Sequence, residues 1–522
     1  MRKYIFTALL AVVTSAAAQS TYEAVRLIDT GLTGTARFVG MGGSMSILGA
    51  DLSVLGVNPA GAALYRSSDL SITGSVTTHK IDADYLGTTL KNDKTVFSFD
   101  NVGAMFSYRA ASGSLEFINV GFNYKRRNNL QREFAMAGAS GGYSQMFQMQ
   151  QLYNNNPFDI TNMSYQHYTS LSYPWLALLG ADGGLLFAGE ESADGTIIDE
   201  GVPMYSPTSL SYRSEERGGV DEVDLNVSFN LNNQVYLGFT VGAHYVDYSR
   251  YSVYGEDDAY GPIYTLNNWY DTRGEGIDMK FGIIVRPFYY SSFRIGASVH
   301  SPTWYSLTDR MSAAISGQPA KAVINGQLTE YTTGQMDTRS YDYAYGGDYF
   351  LDYHLETPWT FNVGAAYTFG DFLALNAEYE YTDYSSASME YEGGYSMPEM
   401  EAEFENNLRE VHTFRMGAEL MLDKNFSIRC GYNHTTAPYK KSASKYMLSY
   451  VDTNTEYLNN FATNNYTAGF GYRGSSFYFD AAYVYTRQEA DFYPFYDAEY
   501  INPSAAVDDK KSKFVVSVGM RF

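Results

Sequence analysis

The sequence predicts an all-β fold: a transmembrane antiparallel β-barrel of about fourteen strands, with an N-terminal hatch inside its lumen. Three observations predict it: a period-two alternation that recurs from end to end, a regular exchange of tiny turns and long polar loops, and a basic-then-apolar N-terminus. The alternation is clearest from residue 219 onward. Val223, Leu225, Val227, Phe229 and Leu231 alternate with Asp224, Asn226, Ser228 and Asn230. After Asn232-Asn233 it resumes with Val235, Leu237, Phe239, Val241 and Ala243 on one face. One greasy face at a period of two is a strand with one side on an apolar environment.

Residues 1–18 read as a secretory signal: Arg2 and Lys3, an apolar run from Tyr4 to Val13, then Ala16-Ala17-Ala18 before Gln19. The run is too short for a membrane helix, and no later stretch reaches about 20 uninterrupted apolar residues. Export is therefore expected, with any membrane crossing made by strands. No cysteine follows the signal, so no lipid anchor is expected at the N-terminus.

Composition agrees with strands. The chain holds 49 Tyr and 31 Phe but 4 Trp, at a mean hydropathy of -0.28. Tyr and Phe gather at strand ends, as interfacial girdles require. Cys430 is alone, which excludes an internal disulfide framework; its phase with Phe426, Ile428 and Tyr432 makes it a lipid-facing small hydrophobe. A net charge of -22 excludes nucleic acid as a partner, since phosphate contacts need a basic surface. The acidic runs Glu256-Asp257-Asp258 and 399–405 read as solvated loops, and none has the spacing of an EF-hand calcium loop.

Pairing alternating runs about their turns places the strands at 68–79, 94–109, 114–126, 219–231, 234–248, 275–289, 291–301, 358–369, 371–384, 408–422, 425–434, 462–473, 476–488 and 512–522. The tight connections are Ala111 to Gly113, Asn232-Asn233, Tyr290-Ser291, Gly370-Asp371, Asp423-Lys424 and Arg473-Gly474-Ser475. Short turns face the periplasm and long loops the exterior in such barrels, which puts both termini on the periplasmic side of a Gram-negative outer membrane. The last strand turns Phe514, Val516, Val518, Met520 and Phe522 outward. A terminal Phe522 closing that stripe is the signal expected by the barrel-assembly machinery. Inward charges at Asp278, Lys280, Arg286, Arg294, Glu378, Glu380, Arg415, Glu419, Arg429 and Asp480 suit a lumen too wide to be filled by wall side chains alone.

Residues 19–67 read as the hatch, and 68–522 as the barrel with its loops. Small residues dominate Ala36-Arg37-Phe38-Val39-Gly40-Met41-Gly42-Gly43, Gly49-Ala50-Asp51 and Asn58-Pro59-Ala60-Gly61. Glycine and alanine permit close backbone packing and Pro59 blocks ladder bonding, so this piece suits a plug; Phe38, Val39, Met41, Ile47, Leu48, Val54, Leu55 and Val57 argue against disorder.

At these residues the chain resembles the FadL/TodX family of outer-membrane transporters of hydrophobic compounds. The likeness lies in the small-residue stretch, the Asn58-Pro59-Ala60 motif and the strand count that follows. It implies passive transport of long-chain fatty acids or similar compounds, with capture outside, displacement of the hatch (Asn58, Pro59, Ala60, Gly61) and lateral release at a kink in the third strand. Strand 114–126 does lose phase between Leu115/Phe117 and Ile118/Val120/Phe122, which makes Phe117, Ile118, Val120 and Phe122 the expected gap. The loop 127–218 carries Trp175, Leu176, Leu178, Leu179, Leu186 and Phe187; these are the expected hydrophobic capture site, against the alternative that the loop folds on itself over the mouth. The expected partners are small hydrophobic ligands and outer-membrane lipids, with room for protein partners at the extracellular loops.

Two other classes stand beside transport. Some members of this barrel family look like shuttle or scaffold components of a protein-secretion system, and the loops Tyr331 to Tyr353 and Tyr384 to Tyr395 would suit such a role. An enzyme needs a nucleophile, base and carboxylate within reach; the 7 His are scattered without such spacing. No catalytic residue, cofactor or metal is expected.

Overall fold

The computed structural model describes residues 20–110, 113–169, 172–191, 197–198, 200–317, 321–324, 327–330, 335–338, 348–445, 450–496 and 502–522. The expected signal segment 1–18, part of the expected turn Ala111 to Gly113 and much of the stretch from Tyr331 to Tyr353 lie outside these residues.

Fourteen strands close a wall. They are β1 (Asp69–Tyr85), β2 (Thr88–Arg109), β3 (Leu115–Asn129), β4 (Ser209–Leu231), β5 (Val235–Asp258), β6 (Gly261–Val285), β7 (Arg294–His300), β8 (Thr360–Phe369), β9 (Leu373–Asp383), β10 (Glu410–Met421), β11 (Phe426–Thr435), β12 (Tyr457–Arg473), β13 (Phe477–Tyr493) and β14 (Ala505–Arg521). Each pairs antiparallel with the next. β14 returns to β1, from Asp69↔Arg521 to Asp84↔Ala506, so the sheet has no free edge around this ring. Asn232 and Asn233 both hold positive φ, 53° and 52°, the conformation that joins two strands through a two-residue turn without splaying them.

Near the short turns, the wall is apolar outside and polar inside. On β1, Leu70, Ile72 and Val76 are exposed while Ser71, Thr73 and Ser75 are buried; Phe514, Val518 and Phe522 are exposed along β14 and its end. This exposed apolar belt is the surface of a wall that meets lipid. Above it the alternation inverts. On β1, Ile81, Ala83 and Tyr85 turn inward and Lys80, Asp82 and Asp84 outward; on β5, Tyr248 and Tyr254 are buried.

Strands therefore run past the ends expected for them. β4, β5 and β6 have 23, 24 and 25 residues, whereas a bilayer needs about 9–11 per strand. The upper half stands in water around an apolar core of its own. Strand Trp304–Ser316, inside a connection expected to be a loop, pairs with upper β6 and with Tyr349–Glu356, continuing the wall where β7 and β8 are short. Strand Arg132–Ala139 pairs with upper β4.

The long connections fold over the mouth as a cap, with helices α3 (Gln145–Asn155), α4 (Tyr165–Thr169), α5 (Trp175–Asp182) and α6 (Pro398–Asn407). Among the described residues no helix is long and apolar enough to cross a membrane.

Candidate functional site

The segment before β1 fills the lumen at two levels. Helix α1 (Thr21–Ile28) lies high, under the cap: Thr21 Oγ1 donates to Glu403 Oε2 at 2.9 Å, Tyr22 stacks on Tyr439 at 4.9 Å, and Glu23 meets Arg250 at 3.1 Å. The first described residues thus sit on the long-loop side, whereas Phe522 pairs with Ser68 beside the short turns. From the long-loop side the chain descends through the lumen before it enters the wall.

Lower down, helix α2 (Ala36–Gly40) and two 3-10 turns, Leu52–Gly56 and Pro59–Leu64, pack inside the belt. Each starts on a capping side chain: Thr35 to Phe38 N, Asp51 to Ser53 N, and Asn58 to Ala60 N, which satisfies backbone donors in short turns that have few internal bonds. Their apolar residues Phe38, Val39, Met41, Ile47, Val54 and Leu55 form a buried cluster with wall residues Met105, Tyr236 and Ile284.

The wall accepts this backbone because it has glycine where contact is closest. A Cβ on Gly238 would lie 2.2 Å from the Pro59 carbonyl carbon, and one on Gly282 2.0 Å from Asn58 Oδ1. Wall side chains then take up the segment's carbonyls. Thr240 Oγ1 donates to Leu55 O at 2.9 Å, Asn119 Nδ2 to Ala62 O at 2.9 Å, Ser298 Oγ to Val57 O at 2.8 Å and Thr467 Oγ1 to Gly40 O at 2.9 Å. Arg37 meets Glu419 at 2.7 Å, and Arg429 bridges Glu419 and Asp480 at 2.7 and 2.5 Å. Most inward charges named from the sequence serve such pairing.

Between α1 above and α2 with the turns below lies a cavity of about 300 Å³. Its wall is rich in hydroxyls and amides, including Thr77, Thr382, Thr413, Asn465 and Gln488. Six cations (Lys125, Arg127, Lys280, Arg415, Lys511, Lys513) and four carboxylates (Asp29, Glu222, Asp278, Glu380) line it; Asp100, Asp224 and Asp509 pair with lining lysines from behind, which leaves Arg127 the lining cation without a carboxylate at ion-pair distance among the described residues. Beside the chamber, Glu222, His244 and Asp278 form the one group of metal-donor type found among the described residues. Lys280 Nζ already occupies their centre, 2.7 Å from Glu222, 2.8 Å from Asp278 and 3.0 Å from Asp224. An ammonium there does the neutralising that a cation would. His300 Nε2 is 2.7 Å from Val57 O, a structural contact to the lumenal segment.

The wall is interrupted beside this chamber. The β2–β3 ladder runs from Arg109↔Phe117 to Asn101↔Lys125 and stops. At that level the β1–β2 register slips, with Asp100 the extra residue; its buried carboxylate meets Lys513 at 2.7 Å. Above the slip, β2 faces strand Arg132–Ala139 with side chains in place of ladder bonds: Asn92 Nδ2 donates to Ala135 O at 3.1 Å and Lys94 Nζ meets Glu133 at 3.2 Å. Ser98 and Lys125 line the chamber from either side of this seam.

The residues expected to form a gap lie lower. Phe117, Ile118, Val120 and Phe122 pair with β2 and with β4; the phase slip seen in the sequence corresponds to a bulge at Glu116, between Leu115 and Phe117. The seam was legible elsewhere: Phe97 and Phe99 occupy one parity, Phe106 and Tyr108 the other, with Asp100-Asn101 between them.

The expected capture residues are not on an open surface. Trp175, Leu176, Leu178, Leu179 and Leu186 are each 0% exposed in the cap core, and Phe187 is half-buried. Helix α5 is apolar all round because cap residues surround it. Of the two accounts offered by the sequence, the loop folding on itself is the arrangement found, and a role as a landing site would require the cap to open.

These features define a class: a closed barrel stoppered by its own N-terminal segment, with a chamber and a seam beneath a folded cap. The particular fold is that of FadL-type barrels. A Pseudomonas aeruginosa FadL homologue superposes with a TM-score of 0.52 at 12% identity, over 94% of this chain and 99% of that one. A mutant of the monoaromatic hydrocarbon channel TodX gives 0.50 at 12% identity, over 94% and 98%. The Pseudomonas putida toluene transporter TodX gives 0.49 at 12% identity, over 95% and 100%. No family profile and no curated protein sequence matches the chain.

Proposed function

We propose that the protein is a passive outer-membrane conduit for hydrophobic compounds that carry a polar or anionic end. One observation carries this reading: the β2–β3 ladder ends beside an enclosed chamber, and Ser98 and Lys125 line that chamber from either side of the break. The apolar part of such a cargo reaches lipid sideways through the seam, where burial in hydrocarbon contributes roughly 25 cal/mol per Å². Its polar end is held meanwhile by the hydroxyls and cations of the chamber. Passage requires displacement of α1 above, and of the Asn58-Pro59-Ala60-Gly61 turn if cargo continues to the periplasm. TodX is described as a monoaromatic hydrocarbon channel; the hydroxyls and amides of this chamber, with the Arg127 guanidinium on its wall, favour an acid such as a long-chain fatty acid over a bare hydrocarbon.

The test is a disulfide across the seam, from Asn92→Cys with Ala135→Cys, in protein reconstituted into liposomes. Oxidised protein should still bind radiolabelled palmitate yet lose its delivery to the bilayer, and reduction should restore it. Equal delivery by oxidised and reduced protein would end the lateral route.

The closed cap favours one second reading, a scaffold of a secretion system. Its capture residues are buried, leaving an acidic, tyrosine-rich outer surface suited to holding proteins. Recovery of secreted proteins with the purified barrel, together with no palmitate binding, is the result that selects it.

A further inference from the structure

The buried arginines of this chain sit on carboxylates: Arg37, Arg250, Arg415 and Arg429 each have one within 3.1 Å. Other arginines have no carboxylate at that distance, and three of them stand together. Arg66, Arg286 and Arg294 gather at the short-turn end: Arg286 and Arg294 stand one residue beyond the Val285↔Ile295 pair of the β6–β7 ladder, and Arg66 meets Asn233, whose carbonyl takes the Tyr236 hydroxyl. Among the described residues no carboxylate lies within ion-pair distance of any of the three.

Their known bonds use few of the five donors that each guanidinium carries. Arg66 Nη2 donates to Asn233 Oδ1 at 3.2 Å. Arg286 donates to the carbonyls of Ser291 and Tyr289 at 2.5 and 2.9 Å, holding the β6–β7 turn. Arg294 Nη1 donates to Leu48 O at 3.2 Å, whereas its Nε is sealed from solvent without a partner. A buried donor left unmade is costly, and three like charges standing together repel. In a chain of net charge -22, a cluster without acid is a departure that a bound anion would neutralise.

The geometry points to a site for a phosphate-type oxyanion at the periplasmic rim, formed by Arg66, Arg286 and Arg294 beneath the lumenal segment. Forked guanidinium donors match the oxygens of such a group. Phe288, Tyr289 and Tyr290 project from the same turn, Tyr290 being 97% exposed, and put the lumenal rim that bears the site at the depth of the lipid headgroups. The oxyanion comes either from a phospholipid of the inner leaflet or from free phosphate. This site is separate from the chamber and the seam, so it stands whether or not cargo crosses there.

The test uses the full mature barrel, with its thermal midpoint read in three settings: neutral detergent with inorganic phosphate added, nanodiscs of phosphatidylcholine, and nanodiscs containing phosphatidylglycerol. A midpoint raised by phosphate identifies the free anion as the source; one raised only by phosphatidylglycerol, with that lipid retained in native mass spectrometry, identifies the headgroup. Arg66→Gln, whose side chain is in solvent and leaves folding intact, should weaken the effect roughly tenfold, and Arg66→Gln with Arg294→Gln should remove it. No shift in any setting, or a shift that Arg66→Gln leaves unchanged, overturns the proposal.

Discussion

A Cβ at Gly282 would sit 2.0 Å from Asn58 Oδ1, and one at Gly238 2.2 Å from Pro59. At both positions the residue's role is to be absent beyond Cα. Gly282→Val should therefore push the Asn58-Pro59-Ala60 turn off the wall at a cost of about 1–3 kcal/mol. Planar-bilayer recordings should show larger or more frequent openings than wild type; unchanged conductance would mean that the turn does not seal the lumen. The cap offers a second residue-scale experiment. Burial pushes Glu256 and Asp309 up to about 7 and Asp182 up to about 6. Their stabilisation of the cap is full below the ordinary carboxylate range, near pH 4, and is lost as pH rises through 6 to 7. Protection of the α3 and α5 amides, taken relative to their intrinsic exchange rate at each pH, should fall between pH 5 and 8. Glu256→Gln with Asp309→Asn should flatten that response. The glycines were visible in the sequence as inward positions of β5 and β6, but their partner was not, since a close approach belongs to two distant segments.

At the scale of elements, β2 and α5 separate what pattern carries from what it misleads. The parity change across Asp100-Asn101 is present in the sequence, as is the phase slip at Leu115/Phe117. Both are bulges; only the first coincides with the end of a ladder, and ladder ends depend on the neighbouring strand. Helix α5 read as an exposed greasy run because a loop beyond the membrane is expected to meet water. Its burial comes from α3, α4 and the strand Trp304–Ser316, which pack around it within the cap. Trp175→Ala should cost the cap about 3–5 kcal/mol, measured as faster proteolysis of residues in the 127–218 connection, with the lower barrel unaffected. If Trp175 instead served as a capture residue on a mobile surface, the same variant would lose ligand binding without loosening the cap.

The whole molecule is a stack: a cap with an apolar core, α1, a polar chamber, and the small-residue turns within the lipid-facing belt. Arg250 and Arg26 outweigh burial to hold the Glu23 carboxyl down to about 2. That anchor of α1 is in force above the usual carboxylate range and is lost as pH falls from about 4.5 toward 2. Glu23→Gln leaves two buried guanidinia short of a partner, a loss of roughly 3–5 kcal/mol when a buried pair is broken. Exchange at α1 should rise in this variant at neutral pH, with palmitate reaching the chamber faster; protection equal to wild type would show that α1 is held by packing alone. What the sequence by itself determined is the ring: alternation, turn chemistry and strand number are local, and a closed antiparallel wall leaves neighbours little choice of order. What only the tertiary structure decided is the depth of the cap, the level at which α1 rests and the position of the seam. In the upper half, alternation persists with its sign reversed, and which face is inside depends on the solvent and on distant loops that no local pattern encodes.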